Sequence, residues 1–337
     1  MLSISYFFRC PSPYGHHSIE RVFADVSNNM PEQIRCEKWL SRFLNWRILR
    51  RLYNALEAVF RQGDINHITG DSHYLALFMS KRKTVLTIHD CGNLEGIPRD
   101  IRWYLMIWPF FYWIPIHRAA AVTVISEATR ERLLYYFPWC ADKVHVIHDP
   151  VSKEFEYCPK EFDAGKPRIL HIGVAPHKNL DRVVDALRGI SCHFRIIGKL
   201  SEAQKQMLDL SGLEYSSVWN LSNKEIVEEY RACDLVEFAS TYEGFGLPIV
   251  EAQATGRPVI TSNLPPMTEV SRDSACLIDP FNSVSIRDGI VRVIQKKSYR
   301  EDLVAKGLEN VKRFAPREIA RQYLEVYYKV RSSGTSA

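Results

Sequence analysis

The feature that most narrows the fold of this chain is an alternation. Eleven short runs rich in β-branched and aromatic residues recur along it, at residues 3–8, 64–69, 84–89, 121–126, 144–148, 168–172, 193–198, 215–219, 235–239, 258–262 and 275–279. The stretches between most of them are long enough for crossover helices. Two carry explicit start signals: Ser222-Asn223-Lys224-Glu225 reads as a capping box, and Ser126 as an N-cap before Glu127. Strands alternating with helices specify parallel sheets covered on both faces. The polar segment 149–168 holds three prolines and no clear period, so it reads as a linker between two halves. The predicted class is α/β: two doubly wound Rossmann-like domains with a cleft between them. Ligands of such sheets sit beyond the carboxyl ends of the strands.

Composition removes several function classes. A net charge of +5 over 337 residues suits an anionic small ligand or a membrane surface and is too weak to argue for nucleic acid. Eight cysteines stand singly with no Cys-x-x-Cys, as in a reduced, cytoplasmic protein. No metal site is predicted; His145 and His148 fall on opposite faces of a strand. "MLSISYFFRC" reads as a first strand rather than a signal peptide. The longest apolar run, 103–116, is interrupted by prolines and shorter than the ~20 residues a spanning helix needs. Residues 35–62 place Trp39, Phe43, Trp46 and Tyr53 at helical spacing among Arg35, Lys38, Arg42, Arg47, Arg50 and Arg51. That is a basic amphipathic helix, whose aromatic stripe either packs into the core or lies on an anionic membrane.

The chemistry concentrates in "TYEGFGLPIVEAQATGRPVITS", residues 241–262. The loop from Ser240 to Gly246 follows a buried-strand pattern. Gly244 and Gly246 permit positive φ and close approach of backbone to a ligand. Pro248 suits the start of a helix. Such a loop cradles phosphate, yet Glu243 and Glu251 flank it, and carboxylates repel phosphate. The two glutamates make sense as hydroxyl binders on either side of an anion, which describes a nucleotide sugar. The plainer alternative, a loop glutamate and a surface glutamate, is equally compatible with spacing alone.

"EGFGLPIVE" resembles the Glu-seven-residues-Glu signature of retaining GT-B glycosyltransferases of family four, the group 1 type. "RILHIGVAPHKNLDRVVDAL" and residues 223–270 are similar to the family's donor-binding domain, and "TVLTIHD" and "AVTVISEATRERL" to its first domain. The resemblance implies an N-terminal acceptor-side domain over 1–155 and a nucleotide-sugar-binding domain over 156–315. The helix and tail at 316–337 are expected to pack back on the first domain. It implies transfer of a hexose, mannose among the candidates, from a nucleoside-diphosphate sugar to a glycan or lipid-linked acceptor. Configuration is kept, with no cofactor and no metal. The setting implied is bacterial surface polysaccharide assembly, in the cytoplasm or at the inner face of the cytoplasmic membrane.

By motif position, Glu243 contacts the donor sugar, the backbone of Gly244, Phe245, Gly246 and Leu247 holds sugar and phosphate, and Glu251 binds the ribose. Lys178, in "APHKNL" at a helix start, neutralises the leaving diphosphate, and His89 projects toward the donor sugar. Gly173 lies in the diphosphate loop. Relatives often carry arginine after it, where this chain has Val174, and Lys199 is assigned as the replacement. The first-domain loop "CPSPYGHHSIE" lacks the family's glycine pair and offers only Gly15, beside His16 and His17. Neither motif glutamate is expected beneath the anomeric carbon, so front-face substitution is expected, with charge on the departing diphosphate stabilised by Lys178 and the helix start. The rival reading is a non-catalytic sugar-nucleotide-binding protein of the same fold. A dehydrogenase is excluded by the lack of an early Gly-x-Gly-x-x-Gly.

Overall fold

The computed structural model describes residues 2–11, 18–44, 47–95 and 103–335. Gly15, His16, His17 and Trp46 lie outside them. The chain divides into two compact units, Met1–Pro150 with Pro316–Ala337, and Val151–Ala315.

The first unit is built on six strands: β1 (Leu2–Phe8), β2 (Ile34–Leu40), β3 (Ile65–Ile68), β4 (Thr84–Ile88), β5 (Ala121–Val124) and β6 (Val144–Val146). They lie in the order β2-β1-β3-β4-β5-β6, and every pairing is parallel. Their central members are buried along their whole length, as a sheet covered on both faces requires. Ser126 accepts from the backbone N–H of Thr129 and so starts the helix Glu127–Tyr136.

One expectation is corrected here. Residues 35–62 are not one helix. Ile34–Leu40 is β2, the edge strand of this sheet, and only Ile48–Val59 is helical. The sequence IRCEKWL carries charges at Arg35, Glu37 and Lys38, which an edge strand tolerates and which imitate an amphipathic helix over so short a span.

The long helix Pro316–Thr335 completes this first unit. Tyr327 of that helix places its hydroxyl 2.6 Å from Nδ1 of His67 on β3, and donates more weakly to Tyr6 on β1. His67 Nε2 lies 2.7 Å from Thr87 Oγ1, which in turn meets Thr123. All five side chains are buried, so a polar chain runs through the sheet with its members mutually satisfied.

The second unit carries β7 (Arg168–Ile172), β8 (His193–Ile197), β9 (Glu214–Val218), β10 (Leu235–Phe238), β11 (Val259–Ser262) and β12 (Cys276–Ile278). Their order, β12-β11-β10-β7-β8-β9, is the Rossmann order. The chain starts in the middle at β7, builds outward through β8 and β9, then returns to β10 on the other side of β7. The crevice between β7 and β10 is therefore the topological switch point, where their following helices lie on opposite faces of the sheet. Ser222 and Glu225 form the reciprocal capping box at the start of Asn223–Ala232.

Candidate functional site

The loops that leave β7 and β10 meet at this switch point. After β7 the chain turns through Gly173 at φ +93° and makes a single 3-10 turn, Pro176–Lys178. Asn179 follows in the left-handed region, and the helix Leu180–Leu187 begins. After β10 the chain runs through Ser240 to Gly246, which has φ +106°, and enters the helix Leu247–Ala254 with Pro248 in its first turn.

The two loops are bonded together. The carbonyl of His177 accepts from the backbone N–H of Thr241 at 2.8 Å, and Ser240 Oγ lies 2.9 Å from it. Asn179, buried, donates through Nδ2 to the carbonyls of Ala239 and Pro280. Beneath them His171 and Glu237 face each other across β7 and β10, with Nδ1 2.7 Å from Oε2, and both are buried. Glu237 Oε1 also accepts from the backbone N–H of Ala239, which fixes the start of the β10 loop. His171 and Asn179 were not singled out from sequence. The signal was present for Asn179: asparagine is among the few residues that adopt the left-handed region routinely.

This frame holds Lys178 and Glu243 against each other. Lys178 Nζ lies 2.5 Å from Glu243 Oε1, and both side chains are largely buried. Ser240 Oγ donates to the same carboxylate oxygen at 2.6 Å. The ammonium also sits 4.8 Å from the centre of the Phe238 ring. The aliphatic stem of Lys178 packs over Gly173, where a Cβ would come within 2.9 Å of Cγ. Gly173 is thus a glycine for two reasons, its φ and the lysine stem above it.

Glu251, in the helix that follows, is buried, and its Oε2 accepts from the Tyr230 hydroxyl at 2.6 Å. The Phe245 ring is buried against Phe314, so at this position it is the backbone that faces the loop. Gly244 and Leu247 are partly exposed beside it. Val174 packs onto Gly198, where a Cβ would meet it at 2.6 Å. Lys199 is exposed, and its ammonium lies 4.9 Å from the ring centre of Trp219 after β9, which places it on the side of β8 away from β7. The structure thus brings Lys178, Glu243 and Gly173 together at one point, while the Lys199 ammonium rests on the Trp219 ring.

His89 belongs to the first unit, at the carboxyl end of β4. Its Nε2 lies 2.7 Å from the carbonyl of Thr69. A carbonyl accepts only, so Nε2 carries the proton and Nδ1 is the basic nitrogen. The ring covers Gly70, where a Cβ would fall 2.5 Å from Cδ2. Asp90 accepts from the backbone N–H of Gly92 at 2.8 Å. Asp149 is buried, and burial raises its carboxyl above the ordinary range, against the opposing pull of His89, His148 and Arg21. Among the described residues no group of three His, Cys, Asp or Glu side chains comes together as a metal site.

Two family models match successive stretches of the chain with little overlap. "Glycosyltransferase Family 4" covers residues 7–155 and "Glycosyl transferases group 1" residues 153–309. The chain belongs to the family 4, group 1 glycosyltransferases. A relative within this group, O-antigen chain mannosyltransferase B of Escherichia coli, is 25% identical over 62% of this chain and 60% of its own length. D-inositol 3-phosphate glycosyltransferase of a Nocardioides species is 36% identical over 33% of this chain and 25% of its own. The chain therefore spans less than two thirds of either relative. The crystal structure of Anabaena Alr3699/HepE in complex with UDP and glucose has the same fold, with a TM-score of 0.79 at 17% identity, covering 98% of this chain and all of the other.

The site can do three things chemically. A lysine held over a glycine turn supplies positive charge beside a helix N-terminus, the usual place for a phosphate. A carboxylate next to it accepts from hydroxyls. A second, buried carboxylate, Glu251, stands in the helix Leu247–Ala254 that follows the loop.

Proposed function

We propose that this chain transfers a hexosyl group from a nucleoside-diphosphate sugar to a glycan or lipid-linked acceptor, with retention of configuration and without a metal. The observation that carries the reading is the Lys178–Glu243 pair, 2.5 Å apart at the switch point of a Rossmann sheet. In the structure the lysine is held by a carboxylate. A diphosphate takes the lysine and leaves the carboxylate for the sugar hydroxyls. Lys178 and the start of Leu247–Ala254 then stabilise charge on the departing diphosphate, which draws the acceptor proton on the face it leaves. Glu251 serves the ribose. His89, through Nδ1, acts from the acceptor side. Mannose is the favoured sugar because two relatives are O-antigen chain mannosyltransferases. A lipid-linked acceptor in surface polysaccharide assembly places the reaction at the inner face of the cytoplasmic membrane.

The test is hydrolysis of a panel of nucleotide sugars by the full chain without acceptor, followed by transfer to added glycolipids in chelator. Slow hydrolysis of one donor, unaffected by chelator, is expected. An α-linked product from an α-linked donor, read from anomeric coupling constants, is expected for retention. Donor binding without any hydrolysis or transfer would favour a non-catalytic binding protein. Loss of turnover in chelator would remove the metal-free reading.

A further inference from the structure

The helix Ile48–Val59 buries one side and leaves an apolar one outside. Asn54, Ala55 and Ala58 are buried in the first unit. On the other side Ile48, Leu49, Leu52, Tyr53, Leu56 and the adjoining Phe60 are all exposed, from 39% for Leu52 to 87% for Phe60. At helical spacing these six occupy a single arc of about 140°. A continuous apolar surface of this kind marks a partner.

The charges around the arc identify the partner. Residues 42–61 contain five arginines and one glutamate. Arg47 and Arg50 are exposed. Arg42 donates to the Tyr53 hydroxyl at 3.1 Å, and Arg51 lies 5.1 Å from the ring centre of Phe111. A second copy of the chain docked arc to arc would set one arginine cluster against another, and like charges brought together oppose association. An anionic bilayer satisfies both features at once: the arc enters the acyl boundary and the guanidinium groups meet lipid phosphates. No helix among the described residues is long and apolar enough to cross a membrane, so the contact is one of lying on the surface.

We propose that residues 48–60 are the surface by which this chain lies on an anionic phospholipid bilayer. The sequence alone offered such a contact to Trp39, Phe43, Trp46 and Tyr53, with packing into the core as the alternative. The structure moves it to the outer arc of a shorter helix, of which only Tyr53 belonged to the earlier set.

The test is co-sedimentation of the full chain with vesicles of phosphatidylcholine, with and without phosphatidylglycerol, at low and high salt. Binding to the phosphatidylglycerol vesicles that falls with salt is expected. Leu49→Glu with Phe60→Glu should lower it by about tenfold or more, since each change removes an apolar side chain from the acyl boundary. Arg47→Gln and Arg50→Gln should each lower it about fivefold, the factor matching ~1 kcal/mol per basic residue near an anionic surface. Circular dichroism and donor hydrolysis should stay unchanged in all three variants, which separates this surface from the transfer reaction. Equal sedimentation of the wild type and the Leu49→Glu/Phe60→Glu chain would overturn the proposal, as would failure of the wild type to sediment. So would a wild-type dimer in analytical ultracentrifugation that becomes a monomer in that variant while vesicle binding persists.

Discussion

At the scale of single residues, the candidate site is a set of side chains whose positions depend on backbone that few residues tolerate. Gly173 shows this best. Its φ of +93° disfavours any Cβ, and a Cβ would also strike the stem of Lys178. Gly173→Ala should therefore displace the lysine and lower kcat/KM for the donor, at a strain cost on the order of 1–3 kcal/mol in the melting curve. Lys178→Ala and Glu243→Ala should each reduce turnover by about 10²–10³, with circular dichroism unchanged. Steady-state kinetics of both near the wild-type level would remove them from the mechanism. The sequence showed the glycines, the proline and the two glutamates of the 241–251 loop, because each is costly elsewhere and so conspicuous. It did not show that Lys178 and Glu243 touch. They stand 65 residues apart and are joined only by sheet topology. Nor did it show His171 opposite Glu237, since a buried pair across two strands leaves no local pattern.

At the scale of elements, alternation carried most of the fold, because a strand buried on both faces is an apolar run that little else imitates. β3, β4, β5, β7 and β10 were legible for that reason. β2 was not: at the sheet edge it faces water along much of its length, and its polar positions read as part of a helix. Capping was legible as well, where a side chain acts on backbone three residues away. Ser222 and Glu225 close both bonds of their box. The matching box of Ser201 with Gln204 escaped notice, since glutamine announces itself less than glutamate. Ser222→Ala should destabilise the second unit by about 0.5–2 kcal/mol, read by denaturant unfolding, and leave donor hydrolysis intact. A loss of hydrolysis at unchanged stability would mean the helix Asn223–Ala232 does more than support the sheet.

At the scale of the whole molecule, the first unit depends on a segment far away in the sequence. Tyr327 bonds to His67 in the middle of its sheet, and burial pushes His67 from 6.5 down to about 3. The sign of the pH effect follows. Above pH 6.5 both folded and unfolded states hold this imidazole neutral. As pH falls from there toward 3 only the unfolded chain takes the proton, and stability is lost. The slope from this group is at most about 1.4 kcal/mol per pH unit. Asp149, raised by burial, acts in the opposite sense in the acid part of that window, because its folded form takes a proton first. The melting temperature should therefore fall between pH 7 and 5, while the His67 imidazole resonances stay fixed in proton NMR. Titration of those resonances near pH 6 would contradict the buried assignment. A chain ending at Ala315 should keep the second unit and lose the first, because the sheet of the first would expose His67, Tyr6 and its neighbours to water. The same dependence orders events on the ribosome. Residues 2–150 emerge early but lack the helix that covers β3 and β4, whereas 151–315 need nothing made later. The half translated second reaches its finished state first, and the half translated first must be sheltered from aggregation until residues 316–335 arrive to close it.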